Sequence, residues 1–438
     1  MADNDTKILT ATDFFANFDT DLLEEQGLIP AVHQRDAVLI IYSHCLPSHI
    51  PMVRYLCKSI GFDPGNIYFI AKPYSKIKTV AIELKSIGVS VLEDENFSYK
   101  PGHYDQAQHA FLRGCIERIS RILMRSNSKK RIIIVDDGGQ ITNYWMKASI
   151  SFVSSVVSIQ QTTSGIFHTE HLKDVYRIDM ARTAAKAKFE SRVIASGLLK
   201  KVRSVSGVLS SRPVGIVGAG SIGAALSEEL SRVDARRVMI YDIIQAKAWA
   251  SSKKTGAHWA KSIMELYSGA GVIFGCTGAN WTYGTSIKSI ERNCRLMSCS
   301  SRDKEFMGWL KAEKFSEQYV FDDLRSRINP KVTFINSGFP VNFDRNSEWE
   351  PQGDIAITRA LVLIAILQGL CLRPSKLSPA KYETISPKLQ SYIVGRWLDE
   401  MCLNTGKFAD LLEESQNNLR WWSINSAGVF TESAYNQE

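Results

Sequence analysis

Three glycines, Gly218, Gly220 and Gly223, stand in G-x-G-x-x-G spacing inside Pro213-Val-Gly-Ile-Val-Gly-Ala-Gly-Ser-Ile-Gly223. An apolar run of strand length feeds this motif, and a helical pattern over 224–233 leaves it. The chemistry such spacing serves is anion binding. The first glycine allows a tight turn, the second lets backbone approach a diphosphate, and the third lets helix and strand pack closely; Ser221 and Ile222 complete the turn. Free N–H groups at the helix start then face the anion. A second apolar run, Val238-Met-Ile-Tyr, ends in Asp242, at the offset of roughly 20 residues where an acid accepts hydrogen bonds from ribose hydroxyls. Ile243 and Ile244 follow it directly, with no arginine. A 2′-phosphate there meets repulsion and no partner, so the expected cofactor is NAD and not NADP.

The elements that must position this site have an α/β rhythm. In the first half, β-rich runs at 37–42, 67–71, 89–92, 131–135 and 153–159 alternate with helical patterns such as 50–60 and 106–124. Such alternation predicts a mostly parallel, doubly wound sheet, and its lack of a glycine fingerprint makes it the substrate side. A helical pattern over 183–203 bridges to the glycine motif, and strand-like segments within 271–278, 295–300 and 332–338 continue the cofactor half. The fold class expected is α/β: two Rossmann-like doubly wound parallel-sheet domains with a cleft between them, where ligands bind by default. The expected division is a substrate-like domain over 1–190, completed by about 346–406, an NAD-binding domain over 191–345 and a tail over 407–438. Trp421, Trp422, Phe430 and Tyr435 suit that tail to packing on a neighbour or partner.

Composition narrows the classes. The 438 residues suffice for two or three domains, and 45% hydrophobic with 22% charged residues is ordinary for a globular chain. The net charge of +8 comes from scattered lysines and arginines, with no basic stripe interleaved with aromatics, so no nucleic-acid partner is expected. None of the eight cysteines forms C-x-x-C, and no His/Cys pair has zinc-finger spacing, which argues against a metal site or a disulfide framework. The N-terminus is acidic and lacks an apolar core, and the apolar stretch 355–372 carries Thr358, Arg359 and Gln368. It reads as a buried helix, so no membrane association and a cytoplasmic location are expected.

Several fragments, in order, carry a family resemblance. Asp136-Asp-Gly-Gly-Gln-Ile-Thr-Asn143, Gln160-Gln-Thr-Thr-Ser-Gly165, Lys186-Ala-Lys-Phe-Glu190, the Gly218 motif, Thr277-Gly278 and Val341-Asn342 together resemble S-adenosylhomocysteine hydrolase over about 130–345. That resemblance implies tightly bound NAD used to oxidise a ribose 3′-hydroxyl, with carboxylates on the ribose, a lysine at the oxidised oxygen and histidines moving protons. By it, Asp137 matches the ribose-side aspartate and Lys186 the oxidation-step lysine, and Glu190 stands where the family has an aspartate. Thr162, Thr163 and Ser164 match a strip touching the nicotinamide half of NAD. Thr277 and Gly278 match the cofactor loop and Asn342 a cofactor-contacting asparagine. The resemblance also implies a homo-oligomer, a tetramer in the family.

The chain departs from the family where protons are moved. Its eight histidines are His33, His44, His49, His103, His109, His168, His171 and His258, and none lies beyond 258, where the family's two catalytic-region histidines belong. Ser301 stands at the first position, and Asn346-Ser-Glu-Trp-Glu-Pro-Gln352 fills the second. Gln161 replaces a glutamate, Lys76 and Lys78 stand in a loop that is neutral to acidic in the family, and the family's C-terminal lysine/tyrosine tail is not recognisable in 423–438. The two lysines favour either an anionic ligand or a solvated surface, and His44 and His49 are open as new proton-transfer groups. Cys299, near the expected nicotinamide pocket, reads as a small buried strand residue. The expected function is an NAD-dependent oxidation or redox-assisted step on a nucleoside-like, polyol or anionic substrate, and not adenosylhomocysteine hydrolysis. The alternative is a catalytically inactive NAD-binding regulator or assembly partner.

Overall fold

The computed structural model describes residues 10–16, 18, 20–31, 35–125, 129–148, 153–206, 213–234, 237–317, 321–372 and 382–405. The tail expected over 407–438 lies outside them. The first sheet is laid down by β1 (Val38–Ser43), β2 (Ile67–Ala71), β3 (Ser90–Leu92), β4 (Lys130–Asp136), β5 (Val153–Gln160) and β6 (Tyr176–Asp179). β1, β2 and the apolar part of β4 are buried along their length, as strands covered on both faces must be. The second sheet uses β7 (Val214–Val217), β8 (Val238–Tyr241), β9 (His258–Trp259), β10 (Val272–Gly275), β11 (Cys294–Ser298), β12 (Leu324–Arg325) and β13 (Val332–Phe334). A late strand, β14 (Tyr382–Thr384), returns to the first sheet beside β6.

Strand order places the ligand crevices. The first sheet runs β14-β6-β5-β4-β1-β2-β3 and the second β12-β13-β11-β10-β7-β8-β9. All pairings in the first sheet are parallel, and in the second only β12 with β13 is antiparallel. Chain direction across the sheet reverses between β1 and β4 in one and between β7 and β10 in the other. Crossovers depart to opposite faces there, which opens a crevice at the carboxyl ends of the strands. Ser43-His44 leave β1 and Asp137 leaves β4; Gly218 leaves β7 and Cys276-Thr277-Gly278 leave β10.

The bridge between the sheets begins as a π-helical turn, Lys186–Glu190, and continues as the α-helix Ser191–Ser206. The helix Gln352–Cys371 is long and apolar enough to cross a bilayer, yet 89% of its apolar window is buried inside the protein. Gly369 brings it against Val157 and Ile133 of the first sheet, and it carries Thr358 and Arg359 to the cleft.

Candidate functional site

The carboxyl ends of both sheets open onto one cleft of about 820 Å³, within the range of about 300–1,000 Å³ usual for ligand sites. Asp137, Thr162, Thr163, Ser164, Lys186, Glu190, Ser221, Ile222, Thr277, Gly278 and Asn342 all line it. Gly218, Gly220, Gly223 and Asp242 do not reach its wall.

The glycine turn is shaped for a ligand above it. Gly218 has φ +100°, and a Cβ there would sit 2.7 Å from the Cys276 carbonyl. A Cβ on Gly223 would stand 1.8 Å from the Gly218 oxygen, whereas one on Gly220 would meet no protein atom within 4 Å. The two substitutions therefore separate folding from binding. Gly223→Ala is expected to lower the melting temperature and NAD affinity together, since backbone must move. Gly220→Ala is expected to leave the melting temperature unchanged and weaken only NAD binding. Thermal melts and NAD titrations of both variants check this, and equal effects would contradict it.

At the other crevice, Asp137 forms a buried cluster that sequence reasoning saw only in part. The Lys72 ammonium, 2% exposed, lies 2.7 Å from Asp137 Oδ2, and His44 Nε2 lies 3.3 Å from the same oxygen. Burial alone would raise the Asp137 carboxyl; Lys72 and the His44 hydrogen bond overcome it and hold the group far below the usual carboxylate range. Burial, then Lys72, lower His44 to about 4, so the ring is neutral at physiological pH. A neutral ring facing a carboxylate donates from Nε2, which leaves Nδ1 to accept the Ser75 hydroxyl at 2.7 Å. Phe343 stacks on the ring at 3.9 Å. His49 is buried against Phe69 and does not line the cleft. Lys76 pairs with Glu93 at 2.7 Å, and neither it nor Lys78 reaches the cleft. Lys78 is exposed and fits the solvated-surface reading, whereas Lys76 is mostly buried in its pair with Glu93.

Lys186 pairs with Glu190 across the π turn, where such widened turns often serve sites. Thr358 donates to Glu190 Oε1 at 3.1 Å. Beside them lies a network the sequence did not announce. Glu348 accepts from Ser48 N at 2.9 Å and Ser48 Oγ at 2.6 Å, and Arg359 Nε donates to Ser48 Oγ at 2.8 Å. Asn342 Nδ2 donates to Glu350 at 2.6 Å. The one signal for Arg359 was a charge inside an otherwise apolar helix, which a buried helix tolerates only with partners.

Burial and the nearby Glu348 carboxylate push Glu350 up to about 7 from its ordinary 4.5, against the Asn342 hydrogen bond. The folded chain thus holds a proton the unfolded chain has lost, so this group's contribution to stability falls as pH rises between those values and levels off above. Burial also raises Glu305 to about 7 and Asp303 to about 6. Glu350→Gln is therefore expected to make the decline in melting temperature across that window shallower without removing it. An unchanged slope would contradict the assignment.

Several expected ligand groups are already engaged. Asp242 Oδ2 accepts from Ala219 N at 2.7 Å and Oδ1 from Ile244 N at 2.8 Å, so this carboxylate braces the glycine turn. Thr277 Oγ1 and the Thr277 and Gly278 amides all donate to Glu305, and Thr162 Oγ1 accepts from Gly165 N at 3.2 Å. In contrast Gln161 Nε2, in a side chain 5% exposed on the cleft wall, has no protein partner. A buried donor facing a cleft needs an acceptor from a ligand or water.

No protein-family profile matches the chain. Two uncharacterised proteins of Mycobacterium tuberculosis, one from each of two strains, are 29% identical to it over 337 residues, covering 75% of this chain. The chain spans 63% of the length of those relatives. Among solved structures, a transhydrogenase from Sinorhizobium meliloti matches with TM-score 0.36 and 11% identity over 79% of this chain and 98% of its own. An NAD-complexed D-isomer-specific 2-hydroxyacid dehydrogenase from Lactobacillus delbrueckii ssp. bulgaricus matches with TM-score 0.31 and 12% identity, over 77% of this chain and 99% of its own. What the cleft does is decided by its own residues.

Proposed function

We propose that the chain is an NAD-dependent oxidoreductase of the S-adenosylhomocysteine hydrolase type, acting on a hydroxyl of a nucleoside-like or polyol substrate. The observation that carries this reading is the convergence of Ser221 and Ile222 from the glycine motif, the Lys186–Glu190 pair and the Lys72-paired Asp137 on one cleft. The residues fit the cofactor: the space above Gly220 is open, and the helix Ser221–Asp234 starts directly behind it, as a diphosphate requires. Asp242 with Ile243 and Ile244 disfavours a 2′-phosphate, which supports NAD over NADP.

When bound, NAD supplies the hydride acceptor. Thr163 and Ser164 line the wall that would face its nicotinamide end, and Gln161 Nε2 offers a hydrogen bond to a substrate oxygen. Lys186 would relay the hydroxyl proton: its ammonium gives one proton to the paired Glu190 carboxylate and takes up the one the hydroxyl releases, and the polarised Asp137 carboxylate orients the substrate hydroxyls. His44, neutral and fixed between Asp137 and Ser75, is the histidine on the cleft wall among the described residues, and with both ring nitrogens engaged it holds the Asp137 carboxylate in place. The positions where the family carries its other histidines hold Ser301 and the Glu348–Glu350 segment, which do not reproduce an elimination and hydration cycle. The test is stopped-flow fluorescence for NADH when nucleosides and sugar alcohols are mixed with NAD-loaded protein. A substrate-dependent signal supports the reading.

A second reading, an NAD-binding regulator without turnover, is favoured by the prior engagement of Asp242, Thr277 and Gly278 with protein partners. It gains if no hydroxylic compound turns NAD over although NAD binds.

A further inference from the structure

We propose that Cys276 and Cys299 form a reversible intrachain disulfide in the floor of the cleft, making this a redox modification site. The pairing of β10 with β11 sets Gly275 opposite Ser298, so the next residues, Cys276 and Cys299, continue the ladder side by side. Cys299 N donates to Gly275 O at 2.8 Å and Cys276 N to Val217 O at 2.7 Å, which keeps both residues in sheet alignment past the strand ends. Neighbouring strands lie about 4.8 Å apart, inside the Cα separation of about 4.4–6.8 Å that a disulfide needs.

Direction agrees with distance. Side chains alternate along a strand, and Phe274, Cys276, Met297 and Cys299 all belong to the core beneath the helices Ser191–Ser206 and Ser221–Asp234. The two sulfurs therefore share a face. The neighbouring Cys299 side chain, then burial, push the Cys276 thiol up, which casts it as the resolving partner. Both residues also line the cleft, so a small oxidant reaches them. Burial holds the Cys45, Cys57, Cys115 and Cys371 thiols at about 11 to 12, where thiolate is scarce and reaction slow.

The oxidant is a hydroperoxide. The Cys299 sulfur attacks the peroxide O–O bond, giving a sulfenic acid and one water. The Cys276 sulfur then displaces the sulfenic hydroxyl, which leaves with the Cys276 proton as a second water, so two thiols and hydrogen peroxide become one disulfide and two waters. Cys276 lies directly under the glycine turn, its Cβ 3.2 Å from where a Cβ on Gly223 would stand. A ligand seated on the turn therefore shields the pair; this clause rests on the proposed cofactor.

The experiment treats the full-length, ligand-stripped protein with hydrogen peroxide and maps its peptides without reduction. The expected product is a Cys276–Cys299 linked peptide, lighter by two hydrogens and reversed by dithiothreitol. In Cys276→Ser the link is lost and Cys299 proceeds to the sulfinic acid. Sulfinic acid on Cys299 of the native chain, or both thiols surviving, would overturn the proposal. Saturating NAD is expected to slow the linkage. A link that forms equally fast with NAD present overturns the shielding and counts against the cofactor's seat while leaving the disulfide established.

Discussion

Lys186→Met is expected to abolish substrate-dependent NAD reduction while NAD still binds. Methionine keeps the length of the lysine stem and removes only the ammonium. Glu190 retains its hydrogen bond from Thr358, and the glycine turn lies on a different strand end. The loss is therefore confined to proton transfer, a contribution of about 10²–10⁴ in rate for a positioned acid–base group. Single-turnover NADH formation, read beside an NAD titration, separates the two effects. Turnover that persists in Lys186→Met would remove the role assigned to the lysine, and lost NAD binding would show that it acts structurally.

Asp137→Asn is expected to be the most destabilising single change in the cleft, by about 3–5 kcal/mol, because it strands a buried ammonium without its counter-charge. Lys72 is 2% exposed and Asp137 9%, so water cannot take over the pairing. In the double variant Lys72→Met, Asp137→Asn the stranded charge is gone, and most of the stability is expected to return. Turnover is not, since neither neutral side chain can polarise a substrate hydroxyl. The sign with pH follows from the depressed carboxyl of Asp137. Its stabilisation is complete above its unfolded value of 3.8 and is lost as pH falls toward the lower folded one. The deficit of Asp137→Asn in urea melts is therefore full at neutral pH and shrinks in strong acid. A single variant as stable as the native chain would contradict the buried pair.

The turn around Gly218 was legible in the sequence because every constraint on it is local: strand, glycines, helix and acid fall within one βαβ unit. Strands β1 to β5 of the first sheet were legible within a residue or two at each end, since apolar runs bounded by polar residues have few alternatives, whereas the short β6 and β14, each carrying charged residues, were not. Lys72 was not. It follows the run Ile67–Ala71 directly, and nothing in its local sequence marks it; only the parallel pairing of β2, β1 and β4 brings it to Asp137. The same holds for Glu348, whose partners Ser48 and Arg359 lie on different elements. Asp242 shows a subtler limit. An acid at the end of β8 was visible, but its turn toward Ala219 depends on loop geometry that spacing does not encode. Lys76 and Lys78 were attractive because of their charge, and Glu93 on a neighbouring element explains Lys76 without a ligand.

The most direct test of the account is mass spectrometry of the small molecules released when the purified protein is denatured, paired with NAD titration of the stripped chain. The account predicts NAD in stoichiometric amount, with tight rebinding and discrimination against NADP. No released dinucleotide, and no binding on titration, would contradict it.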